Sequence, residues 1–424
     1  MNRGWITILM ISLLLLGLLG CGGDVVIMEH SIQEKDGPVP IKLVVWSSRA
    51  YDTYRAIQDD FRYKHPHIEL TIEMQENYGD YIAAKTASND LPDLFFLTPY
   101  HEVQVYAKNG MLMDLSERAF TDNVFDLTRK SVSYNGKVYG YPMSIGFLGV
   151  IYNKKLFRDA GITGSPQTLN EFKEAVLKIK ALGITPFASS FKDHWTLKHL
   201  FSTLQGSVVK EPSTWISSMD RGSGTFRSRD VGEIFDVLDM IRGNTNVNPL
   251  ESDYDDSIQL MAMEKAAMIH NGNWAVADLF KINPNLEVGL FPLPVSDNPN
   301  DAILAVDTEI VIVLNHNTKY PKEALQVLDY ISDNSDRTGW MHHYTKDVST
   351  QPAMPFDQKP LLGGTYSTFE EAYQSNRIIP WMYQQYPLGL GEAAGEILQS
   401  YYAGEIEQNT VFDMLDQMWR DKVD

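Results

Sequence analysis

Three tryptophans and a scatter of carboxylates are the residues of this chain best suited to chemistry. Trp195, Trp274 and Trp381 fall in inferred loops or at strand ends, as do Tyr100 and Tyr141. Acceptors accompany them: Glu76 after a second extended run, Asp193 just before Trp195, Asn273 beside Trp274, and Asp307 and Glu309 ahead of an apolar run. An aromatic face packs against the C–H side of a saturated ring, while charged and amide side chains hydrogen-bond its hydroxyls. The set therefore suits a polyhydroxylated ring. Signals for catalysis are thin. No G-x-S-x-G elbow, P-loop or H-E-x-x-H occurs. His342 and His343 are adjacent, so they do not share a helix face, and no nearby acid completes a metal site. Neither a metal nor a cofactor is expected. Paired acids for glycoside cleavage are available in any acidic chain, which keeps a glycan-cleaving enzyme as an alternative.

The elements that must carry these residues are legible around Trp274. A helical pattern from Asp255 leads into a short apolar strand, Ala266-Ala267-Met268-Ile269. Asn271-Gly272 signals a turn, and helical spacing resumes at Ala275. A strand that turns into a helix presents its last residues at the carboxyl edge of a sheet, where open α/β sheets bind ligands. On this pattern alone, Trp274 also fits a core position pinning helix to strand.

The amino-terminal half reads as strand Ile41–Trp46, helix Tyr51–Tyr63, strand Ile68–Met74, helix Tyr78–Ala87 and strand Leu91–Leu97. That βαβαβ order implies an α/β fold with a parallel sheet and helices on both faces. Trp46, on the first strand, reads as core. Val138–Met143 and Leu148–Lys154 are two extended runs placed to bridge two lobes. Ala305–Leu314 reads as a second crossing. Thr168 with Glu171 forms a capping-box pattern at the start of a helix. Asp193-His194-Trp195 reads as a loop. Trp381 follows Ile378-Ile379-Pro380 and suits a site or a packed turn equally. A final helix is expected near Glu405–Arg420.

With 424 residues, two lobes are the natural division. A formal charge of −19 argues against nucleic acid and against an anionic membrane surface. Residues 1–20 form a targeting segment: Arg3, then an apolar run from Ile6 to Leu19 that is shorter than a membrane span. Leu18-Leu19-Gly20-Cys21 resembles the bacterial lipoprotein signal-peptide site, with cleavage before Cys21 and its acylation. Cys21 is the only cysteine, so no intramolecular disulfide forms. Residues 21–40 read as a lipid-anchored tether.

Several runs in order resemble the extracellular solute-binding proteins of sugar ABC transporters, the maltose-binding-protein-like group. They are "AAMIHNGNW" followed by "VGLFPLP", and "YGYP…IYNKKLF…AGI…PQTLNEFKEAVLKIKALGITPFA". The resemblance runs from about Ile41 onward. It implies a two-lobed, periplasmic-binding-protein-like fold with a ligand cleft between lobes joined by crossover strands. The amino-terminal lobe would comprise 41–145 and 308–345, and the carboxyl-terminal lobe 146–307 and 346–424. It further implies capture of a carbohydrate, an oligosaccharide for preference, and delivery to ABC permease subunits by a monomer held outside the membrane through its lipid anchor. The tether favours a Gram-positive surface over a periplasm. The ligand residues would be Trp274, Trp195, Asn273, Tyr100, Ser48, Glu76, Asp193, Trp381, Tyr141 and Glu309. Departures from the pattern are Glu264 for a glycine, Leu169 for a tryptophan, and Asp307-Thr308-Glu309 where glycines are frequent. His101-Glu102 and Gly146 stand where maltose binders carry acids, which argues against maltose itself. A sensory receptor on the same fold is the remaining alternative.

Overall fold

A computed structural model of the protein describes residues 37–46, 51–209, 211–333, 348–351 and 362–423. Ser48, Cys21 and His342-His343 lie outside these residues. Three apolar strands open the chain: β1 (Val39–Val45), β2 (Ile68–Met74) and β3 (Leu94–Leu97). Helices α1 (Tyr51–Lys64) and α2 (Tyr78–Ala87) connect them. Both β2 and β3 run parallel to β1, as the βαβαβ reading requires. Two short helices follow, α3 (His101–Lys108) and α4 (Asp126–Ser131).

The next strand, β4, runs unbroken from Gly140 to Asn153. The sequence suggested two extended runs here, Val138–Met143 and Leu148–Lys154, with residues 144–147 between them. Pairing on both sides keeps the chain extended through it. Helices α5 (Lys154–Asp159) and α6 (Leu169–Ala181) lead to β5 (Thr185–Phe187). The Thr168–Glu171 capping box forms at the start of α6, in both directions. Then come α7 (His194–Val208), α8 (Pro212–Asp220), α9 (Arg229–Arg242) and α10 (Tyr254–Ala262).

Strand β6 (Ala266–Gly272) enters α11 (Trp274–Ile282), followed by β7 (Val288–Phe291) and the long β8 (Leu304–Leu314). After α12 (Pro321–Ser332) and the two-residue β9 (Val348–Ser349), the chain ends in α13 (Thr365–Gln374), β10 (Ile378–Ile379), α14 (Leu390–Ala403) and α15 (Gln408–Val423). The final helix expected near Glu405–Arg420 is α15, and the left-handed Gly404 at the end of α14 separates it from the helix before.

These strands form one mixed sheet, ordered β2-β1-β3-β8-β4-β6-β5, with β7 and β9 on β4 and β10 on β8. Strand β8 is antiparallel to β3 and to β4, and its register with β4 runs from Ala305↔Leu148 to Val313↔Gly140. The two long strands feed separate cores. Tyr141 and Met143 with Ile310–Leu314 pack among β1–β3 and α12. At the other end, Phe147, Leu148 and Leu304–Val306 pack with α10, α11 and Trp381. A third cluster gathers α6, α7, α9, α14 and α15. The result is a two-lobed α/β fold in which β4 and β8 cross from one lobe to the other.

Four local expectations change. Asn271-Gly272 is strand, not turn, since both residues pair with β4 (Leu148↔Gly272, Gly149↔Asn271). Trp195 lies in the first turn of α7, not in a loop; Asp193 is its N-cap residue. Trp46 falls just after the end of β1 and not on it, but it packs half-buried against the first core as expected, edge-on to Tyr78 and Phe96. Tyr141, expected at an exposed edge, is buried in the first core against Phe120. At Glu264 the backbone takes φ +57°, a left-handed turn that a glycine would adopt freely.

Candidate functional site

Aromatic rings converge where α7, β6 and the segment after β10 meet. Asn273 locks the start of α11 to β4: its N–H donates to the Phe147 carbonyl (3.2 Å), and its Oδ1 accepts from the Phe147 N–H (2.9 Å). Trp274 follows and folds its ring back over Gly272, where a Cβ would lie 2.0 Å from the indole. That packing is the reason for glycine at this strand position. Gly146 on neighbouring β4 does the same for Trp381, whose ring is 2.5 Å from the position of a Cβ. The two indoles stand edge-on, with centroids 6.0 Å apart. Trp195 lies 6.5 Å from Trp274 and 5.5 Å from Tyr254. His199, one helical turn after Trp195, touches Trp195, Trp274, Trp381 and Tyr383 at 5.3–5.6 Å.

Polar atoms around this floor are short of partners. The indole N–H groups of Trp274 and Trp381, the Asn273 Nδ2 and the Gln384 Oε1 are buried with no hydrogen-bond partner among the described residues. Buried polar groups are nearly always paired, so such a cluster calls for an explanation. At one side Lys198 donates to Glu392 (2.6 Å) and sits 4.5 Å from the centre of the Tyr383 ring. His194 bonds the other Glu392 oxygen (2.9 Å). Burial pushes the Glu392 carboxyl up, but the His194 bond and the Lys198 charge outweigh it and bring it down to about 2.

The strand that crosses beneath supplies acids. Register shifts around Ile310 set Glu309 on a bulge, half-buried, where the Ser144 hydroxyl donates to its carboxylate (3.4 Å). Bulges of this kind re-aim side chains next to sites. Tyr100 takes φ +60°, ψ −103° ahead of α3, an uncommon conformation for a residue with a side chain, and its hydroxyl donates to Asp307 (2.9 Å). Burial raises the Tyr100 phenol well above its usual value, and the Asp307 charge adds to this.

The structure thus brings together Trp274, Trp195, Trp381 and Asn273, and places Glu309 on the crossing strand and Tyr100 bonded to it through Asp307. It leaves others apart. Asp193 accepts from the Tyr254 N–H (2.7 Å), a tie between α7 and α10. Glu76 is exposed in the turn after β2. Tyr141 stays in the first core, and burial lifts its phenol to about 12. His199, Tyr383, Gln384 and Lys198 join the floor without having been singled out. Only His199 carried a signal, its i,i+4 spacing from Trp195. Among the described residues, no group of three or more His, Cys, Asp or Glu is placed to hold a metal.

Comparison with known proteins now decides the family. The model of the bacterial extracellular solute-binding proteins matches residues 46–337. The chain belongs to this family. Its members are binding proteins, and membership places the chain outside the cytoplasm. Among relatives of the family, the multiple sugar-binding protein of Streptococcus mutans is 26% identical over 330 residues, covering 75% of this chain and 78% of its own. The melibiose/raffinose/stachyose-binding protein MelE of Bacillus subtilis is 23% identical over 404 residues, covering 93% and 91%. Solved structures share the family fold. A solute-binding protein, RafE, in complex with raffinose superposes with a TM-score of 0.78 at 24% identity, over 91% of this chain and all of its own. A chitin oligosaccharide binding protein gives 0.79 at 20% identity, over 91% and 99%.

Proposed function

We propose that this solute-binding protein captures a carbohydrate, an oligosaccharide for preference, in the cleft between its lobes and delivers it to the permease of an ABC transporter. One observation carries the reading: three tryptophans from three separate segments meet in a floor whose buried N–H donors have no partner among the described residues. A sugar's C–H face would cover the rings, and its oxygens would accept from Trp274, Trp381 and Asn273. The sugars named for its relatives support the same class. Trp195, Trp274 and Trp381 are the stacking plates in this reading, and Tyr100, Ser48, Glu309 and Glu76 would meet the ligand on closure. The lobes are divided near residues 145 and 308, and closure excludes water from the polar contacts. Cys21 is acylated after removal of residues 1–20 and holds the protein at the membrane.

Thermal unfolding of the chain from Asp24 onward, measured against raffinose, stachyose, maltotriose and chitin oligosaccharides, tests this directly. A dose-dependent rise in Tm with the sugar recovered intact is the expected result. Cleavage of the sugar would establish the glycan-cleaving alternative instead. No rise with any saccharide would refute carbohydrate capture. Palmitate labelling that disappears in Cys21→Ser checks the anchor.

A further inference from the structure

Strand β8 carries one more acid at its crossing point, and sugar stacking alone leaves it without a role. Asp307 is fully buried. Its carboxylate accepts three hydrogen bonds from three segments: the Tyr100 hydroxyl ahead of α3 (2.9 Å), the Thr308 N–H on its own strand (2.8 Å) and the Trp381 N–H after β10 (3.1 Å). Thr308 repeats the pattern. Its hydroxyl bonds Ser131 at the end of α4 (2.8 Å), and its carbonyl accepts from Gln384 Nε2 (3.0 Å). The Ser131 carbonyl in turn accepts from the Tyr100 N–H (2.7 Å), which closes the loop. One dipeptide on the crossing strand thereby fastens a loop of the first lobe to the segment of the second that holds Trp381.

We propose that Asp307 is a positioning residue of the binding site, whose carboxylate makes the seating of Trp381 and the approach of the Tyr100 loop a single event on lobe closure. The proposal rests on the reading of Trp381 as a sugar plate. In the open form the Tyr100 link is released and water reaches the carboxylate. We take this structure as the closed form: in it the carboxylate is fully buried, and among the described residues no cation lies at ion-pair distance. The charged and titratable groups on the elements around it are Glu309 on β8, Tyr141 and Tyr152 on β4, His101, Glu102, Tyr106 and Lys108 on α3, Asp126, Arg129 and Lys130 on α4, His194, Lys198 and His199 on α7, and Tyr100 and Tyr383. Of these only Tyr100 bonds it.

Burial raises the Asp307 carboxyl to about 7, against the downward pull of its three hydrogen bonds. An acid whose pKa is higher in the closed form takes up a proton on closure. Closure is therefore favoured as pH falls, weakens as pH rises from the ordinary carboxylate range towards about 7, and levels off above that. Within the window each pH unit changes the closure constant by up to about tenfold.

The test uses the chain from Asp24 onward as wild type, Asp307→Asn and Tyr100→Phe. X-ray scattering and tryptophan emission are followed from pH 5 to 8 without sugar, and raffinose affinity is measured by calorimetry at pH 5.5 and 7.5. The wild type should become more extended as pH rises, with a raffinose Kd about tenfold weaker at pH 7.5. Asp307→Asn, uncharged throughout, should give flat profiles. A wild type invariant over this range, or an Asn variant that keeps the wild-type profile, overturns the proposal. Pure loss of structure would instead weaken binding equally at both pH values. Should the Asn variant not fold, Tyr100→Phe removes only the first-lobe donor. A more extended form than wild type at pH 5.5 then supports the link, and identical scattering overturns it. If raffinose fails to bind while the scattering profile flattens in Asp307→Asn, the sugar reading fails and the Asp307 link stands.

Discussion

Replacing Gly272 with alanine tests the aromatic floor most directly. An ideal Cβ there lies 2.0, 2.2 and 2.4 Å from three atoms of the Trp274 ring. Carbon atoms rest at about 3.5–4.0 Å, so the ring must withdraw by about 1.5 Å or more. It has little room to do so. Trp381, His199 and Trp195 stand behind it at centroid distances of 6.0, 5.6 and 6.5 Å, and Asn273 is bonded to β4 through both its backbone N–H and its side-chain Oδ1. Overpacking of this kind costs about 1–3 kcal/mol. At about 2–4 °C per kcal/mol for domains of 150–250 residues, and less for a longer chain, Tm should fall by a few degrees. Displacing the plate should also remove an aromatic contact worth about 0.5–1.5 kcal/mol, so affinity for a saccharide that the wild type binds drops roughly two- to tenfold. Calorimetric unfolding, tryptophan emission and a titration measure all three. If Gly272→Ala keeps the wild-type Tm, emission maximum and Kd together, then Trp274 is not seated on Gly272 and the floor has been misread.

Three further outcomes are expected. Gly232 lies inside α9, where an added Cβ would meet only the Gln408 amide at 3.6 Å; Gly232→Ala should stabilise by about 0.5–1 kcal/mol in a denaturant titration and leave ligand binding untouched. At Glu264, φ is +57° and the carboxylate pairs with Lys155 at 3.2 Å. Gly and Ala both delete that exposed pair, yet only Ala keeps the left-handed strain, so Glu264→Gly should be more stable than Glu264→Ala by about 1 kcal/mol. The Glu392–His194 pair gives a signed pH dependence. Glu392 titrates at about 2, below its usual 4.5, so its contribution is complete above 4.5 and fades as pH falls towards 2. His194 is raised above 6.5, chiefly by its hydrogen bond to Glu392, so its contribution is complete below 6.5 and fades as pH rises through the raised value. The stability gap between wild type and Glu392→Gln should therefore be widest between pH 4.5 and 6.5; a gap that is flat from pH 3 to 8 would refute the pairing.

Local patterns in the sequence carried the fold a long way. Strand β2 and helix α2 have the bounds that alternation and helical spacing assigned, and the Thr168–Glu171 capping box forms as its residue types demand. The crossing at β8 was legible from a run of β-branched residues. What escaped was decided by partners distant in the chain. Nothing local to Tyr141, which has a proline after it, says that it faces Phe120 in the first core, while Trp381, which has a proline before it, packs edge-on to Trp274. The pairing of Asp307 with Tyr100 spans 207 residues, about half of the chain, and leaves no periodicity to read.

Two glycines show how a correct local rule can miss the cause. Asn271-Gly272 has the composition of a turn, yet it is the end of a strand, and the glycine is there for the indole of Trp274. Gly146 reads, against maltose binders, as a lost carboxylate; in the fold it is the space that the indole of Trp381 fills. The two glycines sit on adjacent strands, and each lies under one ring of an edge-on pair. A carboxylate at residue 146 and an indole at 381 could not coexist in this geometry. The absence of a side chain at residue 146 and the seating of Trp381 are then one packing arrangement; under the proposed sugar reading, hydroxyl contacts at that point would fall to neighbouring groups on β8 such as Glu309, which lies at the bulge.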